Sequence, residues 1–320
     1  MPSPEWIIER GIGETRAALV EDGEIVEARI QLDGVVRAGS VIRARLANTG
    51  IGGRNAIAVG EGGAEYLLSR GAPGVTQGAT LTIEVTRETI PGAEPWKLPL
   101  ARVTDKPPAA APPLGGREIT FPSPHDVLGE AGWNDLIDQA RTGVAMFAGG
   151  ELRISPTPAM TLIDVDGYLA PDELAVLGAG EAALAIRRLD IGGSIGIDLP
   201  TTGSKSVRMA AAQAIDTALP QPFERTAVNG FGFIQIVRPR SRASLVELAQ
   251  DRAPFEARAL LRRTALEGPG AKRLVAYPAV ITVLEDRRDW TDALARQVGG
   301  AVSLRAEANL PMSAGHAETT

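Results

Sequence analysis

Two short apolar segments, each with an aspartate near its end, constrain this chain more than any other feature. The first is residues 161–167 (TLIDVDG) and the second is residues 191–199 (IGGSIGIDL). Both are rich in β-branched residues and bounded by glycine, a pattern typical of buried strands. Residues 171–188 between them have the length and composition of a helix. This order predicts two parallel neighbouring strands joined by a right-handed crossover.

The aspartates of these segments are expected to lie together at one edge of the sheet. Asp164 and Asp198 each stand near the carboxyl end of a strand, and parallel strands bring those ends side by side. Together with Asp166 they repel one another unless a proton or a cation lies between them. A hard divalent metal is therefore the predicted third party. Either aspartate alone is explained equally well as a cap or a surface ion pair, but its repetition in consecutive strands favours a site.

Composition removes several classes of chemistry. The 320 residues include no cysteine and two histidines, so disulfides, thiol catalysis, zinc sites and a Ser–His relay are not expected. No apolar run approaches 18 residues and no basic segment precedes an apolar one at the start, so neither a membrane span nor a signal peptide is expected. The lack of cysteine fits the cytoplasm. The net charge of −6 mildly disfavours a nucleic-acid partner, but 12 Lys/Arg against 6 Asp/Glu in residues 201–273 permit one.

The N-terminal third is predicted to be β-structure. Residues 6–32 read as a three-stranded meander that should pair with another sheet. Residues 39–104 hold five short strands, the number and size of an OB-type barrel. Such barrels bind single-stranded RNA with aromatic and cationic side chains, for which the candidates are Tyr66, Trp96, Lys97, Arg43, Arg45, Arg54 and Arg87. The alternative is a purely structural barrel.

The remaining chain divides at a Pro/Ala-rich segment. Residues 105–117 are predicted to be an extended or disordered linker. Residues 1–38 are expected to pair with the α/β core that follows this linker. Residues 118–250 would form that α/β core, with a helix at 133–141 and strands at 144–147 and 151–154. Residues 251–320 would form a small α/β domain with a strand at 273–283 and a loose tail from Asn309.

Two basic segments are candidate phosphate contacts. Gly203-Ser-Lys-Ser lies between a strand and a helix, but its spacing does not match a nucleotide P-loop. Lys205 and Arg208, with the amides of that helix N-terminus, remain candidates for holding a phosphate, and an ordinary N-capped helix is the alternative. Arg238 and Arg240 follow an apolar strand, where they would contact an RNA backbone or simply mark a solvated end of the strand.

The order of motifs resembles the ribonuclease E/G family of bacterial endoribonucleases. The segments that carry the resemblance are residues 163–166 (IDVD), 180–183 (GEAA), 187–193 (RRLDIGG), 195–198 (IGID) and 231–233 (FGF), followed by Arg238 and Arg240. The resemblance implies a mixed α/β (α+β) fold. It would comprise an OB-fold barrel inserted near the N-terminus, a ribonuclease-H-like/DNase-I-like α/β catalytic core and a small C-terminal α/β domain.

The resemblance also implies a function. It is magnesium-dependent hydrolysis of single-stranded RNA, in RNA (including rRNA) processing or decay, leaving 5′-phosphate and 3′-hydroxyl ends. Asp164, Asp198 and Asp166 would be catalytic, and Asp164 and Asp198 would hold Mg²⁺, with Mn²⁺ as a substitute and no zinc. RNA would be bound by Tyr66, Lys97, Arg87, Lys205, Arg208, Arg238 and Arg240. The expected location is the cytoplasm. A homodimer that is not mediated by zinc is possible.

Several positions depart from the family pattern. Asp166 replaces the usual asparagine, Thr201 replaces an acidic residue, and Ile57 replaces one aromatic of the barrel. The long insertion that senses a 5′-monophosphate is replaced by the linker, so dependence on the 5′ end is not expected. These departures keep a second interpretation, a non-catalytic RNA-binding relative. A third, a metal-dependent hydrolase of small phosphoesters, is disfavoured by the barrel.

Overall fold

The computed structural model describes residues 4–91 and 97–319. Within these ranges the strands are β1 (Glu5–Arg10), β2 (Glu14–Glu21), β3 (Glu24–Leu32), β4 (Val41–Asn48), β5 (Ala56–Gly60), β6 (Glu65–Leu68), β7 (Thr80–Arg87), β8 (Leu100–Val103), β9 (Arg117–Ile119), β10 (Val144–Phe147), β11 (Gly150–Pro156), β12 (Thr161–Gly167), β13 (Gly193–Asp198), β14 (Glu224–Arg225), β15 (Phe233–Arg238), β16 (Lys272–Ala276), β17 (Val302–Ala306) and β18 (His316–Thr319). The helices are α1 (Val127–Glu130), α2 (Trp133–Thr142), α3 (Pro171–Arg188), α4 (Lys205–Ala218), α5 (Leu245–Gln250), α6 (Arg252–Leu266), α7 (Pro278–Asp286) and α8 (Arg288–Val298).

A six-stranded sheet in the order β10–β11–β12–β13–β15–β14 carries the two aspartate segments. Strands β12 and β13 are parallel, as predicted, and α3 joins them with the predicted bounds. Alternate residues of these strands, such as Ile163, Val165 and Ile197, are buried in the core that includes α3. Close packing of α3 on β12 depends on Gly178, because a Cβ there would lie 2.3 Å from Val165 Cγ1. The other face of β12 is exposed.

The N-terminal meander forms its own sheet, in the order β3–β2–β1–β9. Its fourth strand is β9, which pairs in parallel with β1. Ile25, Ala28 and Ile30 of β3 belong to the same core cluster as Ala179 and Ile186 of α3. The meander therefore packs on the helical layer, and among the described residues its strands pair with one another and with β9, not with the six-stranded sheet.

Strands β4 to β8 form a closed barrel in the order β4–β5–β6–β8–β7, consistent with an OB-fold. Of the two alternatives predicted for residues 105–117, extended or disordered, the contacts of residues 109–111 favour the extended one. Ala109 exchanges two backbone hydrogen bonds with Val41, and the Ala111 amide donates to Ser40 Oγ. Residues 109–111 are thus fixed against the start of β4, which returns the chain from the barrel to β9.

The C-terminal segment is a three-stranded sheet in the order β17–β16–β18, packed with α6, α7 and α8. The predicted strand at 273–283 is a strand only to Ala276, because Pro278 begins a helix. The tail is not loose, because His316–Thr319 pairs antiparallel with β16. Among the described residues, no helix is long and apolar enough to cross a membrane.

A buried ionic network joins the meander to α6. Arg16 Nη1 lies 2.6 Å from Glu9 Oε1, and Arg16 Nε lies 2.7 Å from Glu14 Oε1. Arg258 pairs with Glu14 at 2.8 Å, and Arg262 pairs with Glu9 at 2.9 Å and with Asp126 at 2.5 Å. Three guanidinium groups therefore meet three carboxylates, so the buried charges balance.

Candidate metal-binding edge

Asp164 and Asp198 lie directly beside one another at the edge of the six-stranded sheet. They are register partners on the parallel strands β12 and β13, whose spacing is about 4.8 Å. Both side chains are exposed, because they belong to the strand positions that alternate with the buried isoleucines. The predicted juxtaposition of the two carboxylates is confirmed. Asp166 lies two residues beyond Asp164 on the same exposed face.

The electrostatics of this edge are those of crowded acids. Partial burial, together with repulsion from Asp166 and Asp198, raises the pKa of Asp164, and Arg153 opposes the rise. Arg153 stands opposite Asp164 on β11, but its guanidinium also pairs with Glu151 at 2.5 Å. Glu151 is the register partner of Asp166. The Arg153 guanidinium is therefore shared between Glu151 and the aspartates of β12. A bound cation would relieve the repulsion.

The donor set fits a magnesium ion that keeps most of its water. Asp164 and Asp198 supply two carboxylates from neighbouring strands, and Mg²⁺ commonly binds proteins through one or two carboxylates. Within the described residues, no three Asp, Glu or His side chains gather closely enough to form a metal cage. Asp166 therefore stands outside a two-carboxylate site, at a position from which it can accept a hydrogen bond from water.

The loop after Asp198 leads to α4, whose first turn carries Lys205 and Arg208. Its anchor is the buried Thr202, whose hydroxyl donates to Asp172 Oδ1 at 2.5 Å. Arg208 Nη1 donates to the Thr202 carbonyl at 2.9 Å, so this guanidinium stabilises the loop. Lys205 is exposed at the start of α4, where Ser204 caps the helix by accepting from the Val207 amide. Lys205 is the cation that remains available to a ligand.

Arg238 and Arg240 are not part of this edge. Strand β15 runs antiparallel to β13, so Phe233 is the partner of Asp198 and Arg238 is the partner of Gly193. Five residue steps, about 17 Å, separate the two ends of β13. Arg238 donates to the Ile191 carbonyl at 3.0 Å, and Arg240 pairs with Glu247. The strand direction therefore places these arginines away from a phosphate at the carboxylate pair, while their contact with an RNA backbone stays a prediction.

Tyr66 is not an exposed aromatic of the barrel. Its side chain is 2% exposed within the barrel core, and burial raises its pKa. In β6, Tyr66 and Leu68 are buried inside the barrel, and Glu65 and Leu67 lie on the opposite, outer face of the strand. Because the Tyr66 ring is buried, no base can stack on it. The expected RNA contact at Tyr66 is therefore wrong.

The two cations predicted beside it have structural contacts. Arg87 Nη2 donates to the Leu98 carbonyl at 2.8 Å, and Lys97 Nζ donates to the Pro158 carbonyl at 3.3 Å. Pro158 lies between β11 and β12, so Lys97 connects the barrel to the sheet that carries the aspartates. Trp96 lies outside the described residues.

Two exposed aromatic residues lie at the same end of the sheet as the carboxylates and were not singled out as functional in the sequence. Phe231 is 82% exposed and Tyr168 is 83% exposed. Phe231 lies outside the neighbouring strand, because β15 begins only at Phe233. A signal was present in Asn229 and Gly232, which are typical of a turn at this point.

Comparison with known proteins gives a partial similarity. No family model matches the chain. Over 133 residues, the chain is 29% identical to proteins named ribonuclease G from Escherichia coli (strain K12), E. coli O157:H7 and Shigella flexneri. The match covers 38% of this chain and 27% of each relative, so the chain spans about a quarter of the length of the curated relatives it matches. The similarity supports a distant relationship to ribonucleases of this type.

Proposed function

We propose that this protein is a magnesium-dependent endoribonuclease that hydrolyses single-stranded RNA. The observation that carries the proposal is the register pairing of Asp164 with Asp198 at an exposed sheet edge. The partial similarity to ribonuclease G makes RNA the favoured substrate. Products with 5′-phosphate and 3′-hydroxyl ends, a role in RNA processing or decay, and a cytoplasmic location belong to the same proposal.

Each residue at the edge has a distinct task in this mechanism. Asp164 and Asp198 would hold the metal, which when bound supplies a water of lowered pKa and neutralises charge developing on the phosphate. Asp166 orients an attacking water by accepting its hydrogen bond. Lys205 contacts the phosphate from the start of α4, and Arg208 positions the loop that carries Lys205.

The barrel is proposed to hold the RNA electrostatically. Arg43 and Arg45 are exposed on the outer side of β4 and alternate with the buried Ala44 and Leu46. Arg54 is exposed in the loop that follows. With Tyr66 buried, cations on this surface would bind phosphates without reading bases. Cleavage without dependence on the 5′ end, and any dimer without zinc, remain part of the proposal.

A non-catalytic RNA-binding protein is the second candidate. The observation that favours it is the metal site itself, which offers two carboxylates and, among the described residues, no cluster of three. Thr201, which stands where the resembled family has an acid, donates its hydroxyl to the Phe231 carbonyl at 3.1 Å instead. RNA binding without turnover under any divalent metal would support this alternative.

Substitution of the aspartates tests the proposal. Asp164→Asn and Asp198→Asn should each reduce magnesium-dependent RNA cleavage by more than the roughly 10- to 100-fold typical of outer-shell metal partners. Asp166→Asn, on the same strand face, keeps a side-chain oxygen that can accept the hydrogen bond of the attacking water, so it should reduce cleavage far less than the other two substitutions. RNA binding in EDTA should persist in all three variants, because each loses only a negative charge. Cleavage at the wild-type rate by both Asp164→Asn and Asp198→Asn would show that the chemistry lies elsewhere.

A further inference from the structure

A rigid turn presents the Phe231 ring to solvent. Asn229 Oδ1 accepts hydrogen bonds from the Phe231 amide at 2.9 Å and from the Phe233 amide at 3.1 Å. Gly232, with φ of +91°, donates from its amide to the Asn229 carbonyl, and its own carbonyl accepts from the Leu199 amide at 3.2 Å. The backbone on both sides of Phe231 is thus fixed to the segment that follows Asp198, while the ring remains 82% exposed.

A second fixed segment presents the Tyr168 ring. The Tyr168 amide donates to the Gly149 carbonyl at 3.2 Å, in the turn between β10 and β11. Its neighbour Gly167 is packed so tightly that a Cβ there would lie 2.3 Å from the Gly149 carbonyl oxygen. Leu169, on the other side, packs on Gly149. Tyr168 is therefore held two residues beyond Asp166 with its ring 83% exposed.

Both rings lie beyond the carboxylate pair, at the end of the sheet where β12 and β13 finish. Tyr168 follows β12, four residues after Asp164, whereas Phe231 comes two residues before Phe233, the register partner of Asp198. Strand β13 lies between β12 and β15, and two strand spacings correspond to about 9–10 Å across the sheet. In the described part of the chain, Tyr168 and Phe231 are the aromatic side chains among the large exposed apolar residues. Their position at the end of the sheet that carries the carboxylates points to a role there.

The negative charge of the carboxylate edge explains why an RNA ligand would need the Tyr168 and Phe231 rings. A phosphodiester is repelled by Asp164, Asp166 and Asp198, so phosphate contacts alone hold RNA poorly here. Stacking on an aromatic ring involves the neutral base and contributes about 1–3 kcal/mol per base. Because both backbones are already fixed, little conformational entropy is lost when the rings are covered.

We propose that Tyr168 and Phe231 are the base-stacking platforms of the candidate active site, one for each nucleotide that flanks the scissile phosphate. The inference rests on the proposed function, because it takes single-stranded RNA as the ligand. It assigns the recognition of bases to the catalytic edge and leaves phosphate contacts to the barrel. Since every base has a stackable face, the platforms set the spacing of the strand over the carboxylates with little sequence preference.

The test measures binding of a short single-stranded oligoribonucleotide to Asp198→Asn protein, in which no turnover is expected. Tyr168→Ala and Phe231→Ala should each weaken binding about 5- to 150-fold, as stacking of one base implies. Tyr168→Phe should bind like its parent, because the ring is kept. Leu184→Ala, which removes an exposed apolar side chain from α3, is the matched control and should change nothing.

RNA carrying abasic residues on both sides of the cleavage position separates stacking from a structural effect. The parent protein should bind this RNA weakly, and the alanine variants should bind it no more weakly than the parent. Equal losses on normal and abasic RNA, or no loss on normal RNA, would overturn the inference. A change of oligomeric state in the alanine variants without a change in RNA binding would also overturn it, because the rings would then contact protein. If the alanine variants lose binding but the wild-type protein does not cleave RNA, the base-stacking inference would stand and the catalytic proposal would be rejected.

Discussion

Asp164 derives its properties from its neighbours as much as from its own carboxyl group. Partial burial and the adjacent Asp166 and Asp198 raise its pKa, so its folded form retains a proton to higher pH than its unfolded form. With this sign, ionisation of Asp164 lowers the stability of the fold as the pH rises through the shifted range. Mg²⁺ bound at the proposed site would offset this cost, and protons would compete with it as the pH falls.

Arg16 illustrates the opposite case, a charge that the fold requires. Its guanidinium is 1% exposed and pairs with the buried Glu9 and Glu14. Arg16→Met should lower the free energy of unfolding by about 3–5 kcal/mol, because it leaves buried negative charge uncompensated. Urea unfolding followed by circular dichroism measures the change.

An exposed ion pair in the same sheet provides the control for Arg16. Arg10 pairs with Glu118 at 2.8 Å, with both side chains more than half exposed. Arg10→Met should therefore change the free energy of unfolding by at most about 1 kcal/mol. Equal effects of Arg10→Met and Arg16→Met would mean that the buried network does not stabilise the junction between β1, β2 and α6.

Individual site residues were predictable to different degrees. Asp164 and Asp198 could be identified because a strand–helix–strand unit fixes which ends of its strands are neighbours. Tyr66 could not be judged, because which face of β6 points inward depends on a register that Glu65-Tyr66-Leu67-Leu68 does not reveal. The exposure of Phe231 could not be predicted, because an aromatic residue beside a strand is more often buried than exposed.

At the scale of elements, α3 positions both aspartates. It connects β12 to β13 and packs beneath β12 through Gly178, directly against Val165. Val165 lies between Asp164 and Asp166 in the same strand. The distance between α3 and β12 at Gly178 therefore sets how far the carboxylates of Asp164 and Asp166 lie from the core. The predicted bounds of α3 matched the structure because proline and an acidic first turn mark its start.

Two glycines of α3 give a paired prediction. Gly178→Ala should lower the free energy of unfolding by about 1–3 kcal/mol, because its Cβ would lie 2.3 Å from Val165 Cγ1. Gly180→Ala is the control, since its nearest neighbour is Ala214 Cβ at 3.8 Å, and it should raise the free energy of unfolding by up to about 1 kcal/mol. Thermal unfolding of the two variants measures the difference. The same sign in both would show that α3 does not approach β12 as closely as described.

Other elements were misjudged for identifiable reasons. The apolar run from Arg273 to Val283 looked continuous, but Pro278 converts its second half into α7. The direction of β15 could not be read from its residues, so the sequence did not show that Arg238 and Arg240 lie at the end of β13 away from Asp198. In both cases the local pattern was read correctly as apolar, while the tertiary arrangement decided its role.

At the scale of the molecule, three layers leave one surface open. The meander packs on the helices, the helices pack on the six-stranded sheet, and the outer face of that sheet carries the carboxylates together with the exposed Met146 and Val237. The barrel is tied to this assembly by the Lys97–Pro158 contact and by the hydrogen bond from the Glu88 amide to the Ser241 carbonyl. The barrel and the sheet that carries the carboxylates are therefore in direct contact.

The positive excess in residues 201–273 has a structural explanation at this scale. Arg258 and Arg262 pair with Glu14 and Glu9 of the meander, and Arg242 pairs with Asp190 at the end of α3. These acids lie outside the segment, so three of its twelve cations are neutralised by the rest of the fold. The charge asymmetry along the sequence therefore does not by itself identify an RNA-binding surface.

Analysis of RNA products is the measurement that bears most directly on the central claim, that the Asp164–Asp198 pair supports hydrolysis of RNA with a bound metal. A single-stranded RNA is incubated with the wild-type protein and with Asp198→Asn, each with Mg²⁺ or with EDTA. The account predicts fragments with 5′-phosphate and 3′-hydroxyl ends only from the wild-type protein with Mg²⁺. Cleavage in EDTA leaving 2′,3′-cyclic phosphates, equal cleavage by Asp198→Asn, or no cleavage with Mg²⁺ would contradict it.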